Sequence, residues 1–90
     1  THAFVSIGWL GLIGTYSGIN EHGLIVAACS VPGQKPVQGR TPNQLLIRQI
    51  LEEASNLQEA TDLIKKTTPS SPMNLIIATS SSIIRVELAR

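Results

Sequence analysis

Hydrophobic and polar positions follow two different periods along this chain, and the change of period divides it into three parts. Residues 3–7 and 12–17 read as short strands, with Gly8-Trp9-Leu10-Gly11 as the reversal between them. A polar turn follows, Asn20-Glu21-His22-Gly23, in which the leading asparagine and the closing glycine both tolerate positive φ at little steric cost. Residues 24–30 form a third strand. In it Leu24, Val26 and Ala28 point one way while Ile25, Ala27 and Cys29 point the other, so neither face is written for water. Such a strand needs cover on both sides.

Residues 31–40 hold Pro32, Gly33, Pro36 and Gly39 among polar side chains and read as an exposed loop. The period then becomes helical. Thr41-Pro42 supplies an N-cap with proline at the first helical position, and Leu46, Ile47, Ile50, Leu51 and Ala54 recur on one face. Arg48, Gln49, Glu52 and Glu53 take the wet side. Asn56 with Glu59 forms a capping-box-like start to a second helix, whose stripe is Leu57, Ala60, Leu63 and Ile64. Residues 67–72 break it, and residues 74–79 and 82–88 make a hairpin around a serine-rich turn. The order is βββ-αα-ββ, an α+β (α/β) arrangement in which helices cover one face of a sheet and the other face is left for a second sheet.

Composition narrows the picture. Ninety residues make one small domain, and 42% hydrophobic with 14% charged residues describes an aliphatic interior. A net charge of +1 without a basic run argues against nucleic acid. No apolar run reaches the length of a membrane span, so no membrane partner is expected. A single cysteine makes no internal disulfide, which sets a reducing, cytoplasmic compartment as the default. Thr1 enters a strand without a leading loop, and alternation continues to within two residues of Arg90. Residues 1–90 are therefore expected to be a single fragment of a larger domain.

The run Gly18-Ile19-Asn20-Glu21-His22-Gly23-Leu24, the apolar strand after it, the Pro32-Gly33 loop, the helix carrying Leu45-Leu46-Ile47-Arg48-Gln49-Ile50-Leu51-Glu52, the Glu59-Ala60 helix and the closing strand at residues 83–87 together resemble N-terminal-nucleophile (Ntn) amide hydrolases. More narrowly they resemble the acyl-coenzyme A:isopenicillin N acyltransferase-like family and its choloylglycine hydrolase and penicillin V acylase relatives. The resemblance implies an αββα sandwich and cleavage or transfer of an acyl group from a linear amide, without metal or organic cofactor. It also implies an N-terminal cysteine nucleophile, with an Arg and Asp pair, upstream of Thr1. The chain alone then lacks its nucleophile. The implied partners are a small-molecule amide or acyl donor and the remainder of the Ntn domain or another subunit, a homo-oligomer included. The other reading is a non-catalytic α/β module that self-associates through an open sheet face.

Several residues carry candidate chemistry. By register with the resembled family, Ser30 stands where relatives place an oxyanion-hole asparagine, and serine offers one shorter-reaching donor in its stead. Thr1 with a free amine is a conceivable nucleophile, but its strand context and the family register argue against it. Cys29, mid-strand beside alanines, reads as a small buried hydrophobe. His2 and His22 lack metal-ligand spacing, so no metal site is expected of them. Asn20 reads as a shaper of the turn, and Arg48 and Glu87 as either an internal ion pair or ordinary surface charges.

Overall fold

Among the described residues of a computed structural model seven elements follow one another: β1 (Phe4–Ile7), β2 (Ser17–Asn20), β3 (Ile25–Ser30), α1 (Asn43–Glu53), α2 (Leu57–Lys66), β4 (Met73–Ala78) and β5 (Ile83–Leu88). The residues described are 1–8, 17–30, 43–67 and 73–88. The strands form one five-stranded sheet in the spatial order β1-β2-β3-β4-β5, every neighbouring pair antiparallel. This is the α+β order βββ-αα-ββ expected from the alternation of periods. The two helices intervene between β3 and β4, yet those strands still pair along their full length, from Ile25 opposite Ala78 to Ser30 opposite Met73.

Both helices lie on the same side of the sheet. Leu46, Ile47, Ile50 and Leu51 of α1 are fully buried and join Leu24, Val26, Leu75 and Ile77 in one core cluster, with Leu57, Leu63 and Ile64 of α2 packed against it. Each such buried aliphatic side chain contributes about 1.5–3 kcal/mol relative to exposure. The helix α2 begins as its sequence predicts. Asn56 Oδ1 accepts from the Glu59 N–H at 2.9 Å, while Glu59 Oε1 accepts from the Ser55 N–H at 2.7 Å, so the reciprocal bond lands one residue before the cap. Glu59 in the first turn and Lys65 and Lys66 in the last complement the helix dipole. The β4–β5 reversal is held by Thr79, whose N–H donates to the Ser82 carbonyl at 2.8 Å and whose Oγ1 accepts from the Ser82 N–H at 3.2 Å.

Two features of the sequence reading are corrected. The second strand was expected at residues 12–17; residues 12–16 lie outside the described residues, and β2, Ser17–Asn20, continues past the expected end. Gly18 lies inside this strand, where a Cβ would stand 2.6 Å from the Val5 carbonyl oxygen and 2.7 Å from Leu51 Cδ1, so glycine permits the close approach of β1 and α1. The turn chemistry also differs. Among the described residues only Gly23 has positive φ, at 77°, so Asn20 serves through its side chain and not through a left-handed backbone.

That side chain uses all of its hydrogen-bonding capacity. Asn20 is 5% exposed. Its Oδ1 accepts from the His22 N–H at 3.0 Å and the Leu24 N–H at 3.1 Å, closing the turn. Its Nδ2 donates to the Leu51 carbonyl at 3.1 Å and the Ala54 carbonyl at 2.7 Å, at the end of α1. The last carbonyls of a helix have no partner within the helix, and α1 carries no basic residue in its last turn. The sheet supplies the donors instead, since the His2 N–H also reaches the Glu52 carbonyl at 2.7 Å. The predicted N-cap of α1, Thr41-Pro42, lies outside the described residues, as do the Gly8–Gly11 reversal beyond residue 8 and the loop at residues 31–40.

Replacing Asn20 by alanine strands two buried carbonyls and two N–H groups and is expected to lower stability by about 3 kcal/mol or more, read from the urea midpoint of the full protein. Asn20→Asp keeps the two acceptor bonds but turns a carboxylate on the Leu51 and Ala54 carbonyls, so it should not rescue. Gly18→Ala is expected to cost about 1–3 kcal/mol through the Val5 and Leu51 contacts, by the same measurement.

Candidate functional site

The side of the sheet away from the helices carries no cover from the described residues. Val5 is 68% exposed, Ile7 74% and Ile83 70%, with Ile19, Ile25 and Ile76 also exposed. Such a face is too apolar for water as a final environment. Cys29, expected to be buried, is exposed here for the same reason: the described residues cover its strand on one side only.

Strand register orders this face into rows. One row is wholly apolar, running Val5, Ile19, Ile25, Ala78, Ile83 across all five strands. The next runs Ile7, Ser17, Ala27, Ile76, Arg85 and is mixed. The third is Cys29, Asn74, Glu87 and is polar. A shallow pocket lined by Ala27, Cys29, Asn74, Ile76 and Arg85 sits where the second and third rows meet. Within the third row Asn74 Oδ1 is buried and accepts no hydrogen bond from the described residues. The face thus grades from hydrocarbon to hydrogen-bonding groups over two rows. Ser30, the candidate oxyanion residue, follows Cys29 as the last residue of β3 and pairs with Met73. A separate depression on the helical side, lined by Glu53, Glu59, Asp62, Leu63 and Lys66, is charged outer surface and lies away from this face.

The remaining candidates fall elsewhere. Thr1 is exposed and precedes β1. Arg48 pairs with Glu52 one turn along α1, Nε to Oε1 2.7 Å, and its guanidinium lies 6.0 Å from the Phe4 ring centroid. The alternative pairing of Arg48 with Glu87 is not made: Glu87 is on the open face of the sheet. His2 and His22 are brought together by the pairing of β1 with β2, their ring centroids 4.2 Å apart. Glu21 joins them, with one ligand-type atom from each of the three lying within 4.8 Å of the others. Sequence spacing hid this group, because its members meet only when Ala3 and Glu21 exchange backbone contact, the Glu21 N–H donating to the Ala3 carbonyl at 2.8 Å. The signal that could have revealed it was the pairing of the first strand with the strand before the turn. The other group missed by sequence reasoning is the polar row, whose members come from three strands and align only through register.

No curated protein matches the chain significantly. The family model of acyl-coenzyme A:6-aminopenicillanic acid acyl-transferase matches it over residues 1–89, nearly its whole length and every element described above. The string from Gly18 to Leu24, whose Asn20 ties turn to helix, lies within that match. The chain therefore belongs to the acyl-coenzyme A:6-aminopenicillanic acid acyl-transferase family, an Ntn-hydrolase-like family of acyltransferases.

Proposed function

We propose that these ninety residues form one helix-backed sheet of an αββα sandwich, a fragment of a linear-amide C–N hydrolase or acyltransferase whose nucleophile is an N-terminal cysteine outside the chain. The observation that carries the reading is the open face, apolar for most of its width and polar at one end. A second sheet laid over the apolar rows would bury Val5, Ile19, Ile25 and Ile83, leaving the polar row at the mouth of the interlayer space. Family membership supplies the reaction class.

In this reading the cysteine sulfur attacks the amide carbonyl carbon and its proton passes to the cysteine's own α-amine. The tetrahedral oxyanion collapses, the C–N bond breaks, and the leaving amine takes up that proton. The thioester is then resolved by water in a hydrolase or by an acceptor amine in a transferase. By family register Ser30 is assigned as one oxyanion donor; it ends β3 on the strand parity of Val26 and Ala28 and not of the open face, so it acts from the edge of the interlayer space, with a backbone N–H as the natural second donor. An apolar acyl chain suits the neighbouring rows. Choloylglycine-type and penicillin V-type amides both present such a chain beside a polar amine product, so both substrate classes fit.

A second reading rests on the same face: a non-catalytic module in which two copies of the chain cover each other's sheets. The two readings part in one experiment. Full-length protein is incubated with an acyl donor and examined by intact and peptide mass spectrometry. The catalytic reading expects an acyl adduct on an N-terminal cysteine, unchanged in Cys29→Ser. An adduct on Thr1 or Cys29, or no adduct together with no amide cleavage and a symmetric dimer that Ile25→Lys dissociates, would overturn it. Ser30→Ala is expected to lower kcat about 10²-fold with little change in KM, and Ser30→Asn to retain activity.

A further inference from the structure

We infer that His2, Glu21 and His22 form a binding site for a divalent cation of borderline softness, Zn2+ being the best match to two imidazoles and one carboxylate. Three observations carry this. The first is distance. Ligands held 2.0–2.2 Å from one tetrahedral ion lie about 3.4 Å apart. His2 Nδ1 and Glu21 Oε1 already stand 3.6 Å apart, which is long for a direct hydrogen bond and right for two ligands of one ion. His22 is exposed in the turn, its ring beside that of His2, so closing the remaining gap needs side-chain rotation alone.

The second is the support around the ligands. A metal-bound imidazole characteristically hands its other ring nitrogen to an oxygen acceptor, which fixes ring and tautomer. His2 Nε2 lies 3.1 Å from Ser55 Oγ, so the tautomer protonated at Nε2 leaves the Nδ1 lone pair facing the Glu21 carboxylate, an arrangement a cation between them stabilises. Glu21 is oriented in turn, its Oε1 accepting from the Ala3 N–H at 3.2 Å.

The third is the field. The cluster sits at the C-terminal end of α1, where the His2 N–H meets the Glu52 carbonyl, and the negative end of a helix dipole favours positive charge. The site lies at the β1–β2 edge on the turn, away from Cys29 and Ser30. Its role is therefore structural: a cation there would staple the segment leading into β1 to the β2–β3 turn and, through His2, to Ser55 beyond the end of α1, adding binding free energy to the folded state alone.

The test is calorimetric titration of ZnCl2 into the whole protein after its thiols are blocked with iodoacetamide, with histidine side-chain NMR to identify the rings that respond. One-to-one binding is expected, weakened at least tenfold by His2→Asn and by His22→Asn separately. Ser55→Ala, which removes only the partner of His2 Nε2, is expected to weaken it about tenfold. Far-UV circular dichroism checks that each variant is folded, and His22→Asn, at an exposed turn position, stands as the decisive variant should His2→Asn unfold. Absence of saturable binding, or binding that His22→Asn leaves unchanged, would overturn the assignment.

Discussion

A single buried amide decides how the sheet and helices are joined. Asn20 sits where three requirements meet: the turn after β2 must close, the end of α1 must find donors for its carbonyls, and both must be met without water. A primary amide is the one neutral side chain with two donors and a two-lone-pair acceptor, and all four sites are used. Serine or threonine could close the turn but lacks the donors, and aspartate lacks them too. Glutamine has the right groups on a stem one carbon too long for bonds to residues two and four positions ahead. Because an unmade buried bond costs more than a made one returns, the network works less as added stability than as a penalty on every other placement of α1. Gly18 complements it sterically, allowing α1 and β1 to approach the strand that Asn20 ends.

With α1 seated, the two faces of the sheet acquire different fates. The helical face is closed by the stripe from Leu46 to Leu51 and by α2, and its core residues are almost completely buried. The other face has the same aliphatic character in its first row but nothing over it among the described residues. A solvent-facing side of an antiparallel sheet alternates to polar residues, and this one does so only toward Cys29, Asn74 and Glu87. The polar row is the part of the face suited to water and to a polar ligand; the apolar row is suited to another protein layer.

Much of this was legible in the residues. The double-sided strand at residues 24–30 implied cover on both sides, and the structure gives cover to the Leu24, Val26 and Ala28 side and leaves the Ile25, Ala27 and Cys29 side open. The helical stripes and the Asn56 cap were legible because they depend on neighbours three and four residues away. What escaped was non-local. The need for glycine at position 18 depended on what it faces, the role of Asn20 on a helix more than thirty residues later, and the His2–Glu21–His22 group on strand pairing. The burial expected of Cys29 failed for a related reason: the strand carries the hydrophobicity its face requires, but the covering layer is not encoded in the described residues.

The turn and the face are linked by strict alternation. Shifting β3 by one residue against β2 and β4 would send Leu24 and Val26 to the open side and Ile25, Ala27 and Cys29 under the helices, and it would break up the rows that end in Arg85 and Glu87. A strand apolar on both faces resists such a slip poorly, because its own hydrophobic pattern scarcely distinguishes the two registers. Register must then be imposed from outside the strand. Asn20 does this at one end, since its Oδ1 takes the N–H groups of both His22 and Leu24 while its Nδ2 is held by α1, and a slipped turn would leave those donors and carbonyls unmatched. The residues at the far end of β3, where the polar row and Ser30 lie, are thus positioned by a hydrogen-bond network at the near end, transmitted through six residues of paired backbone.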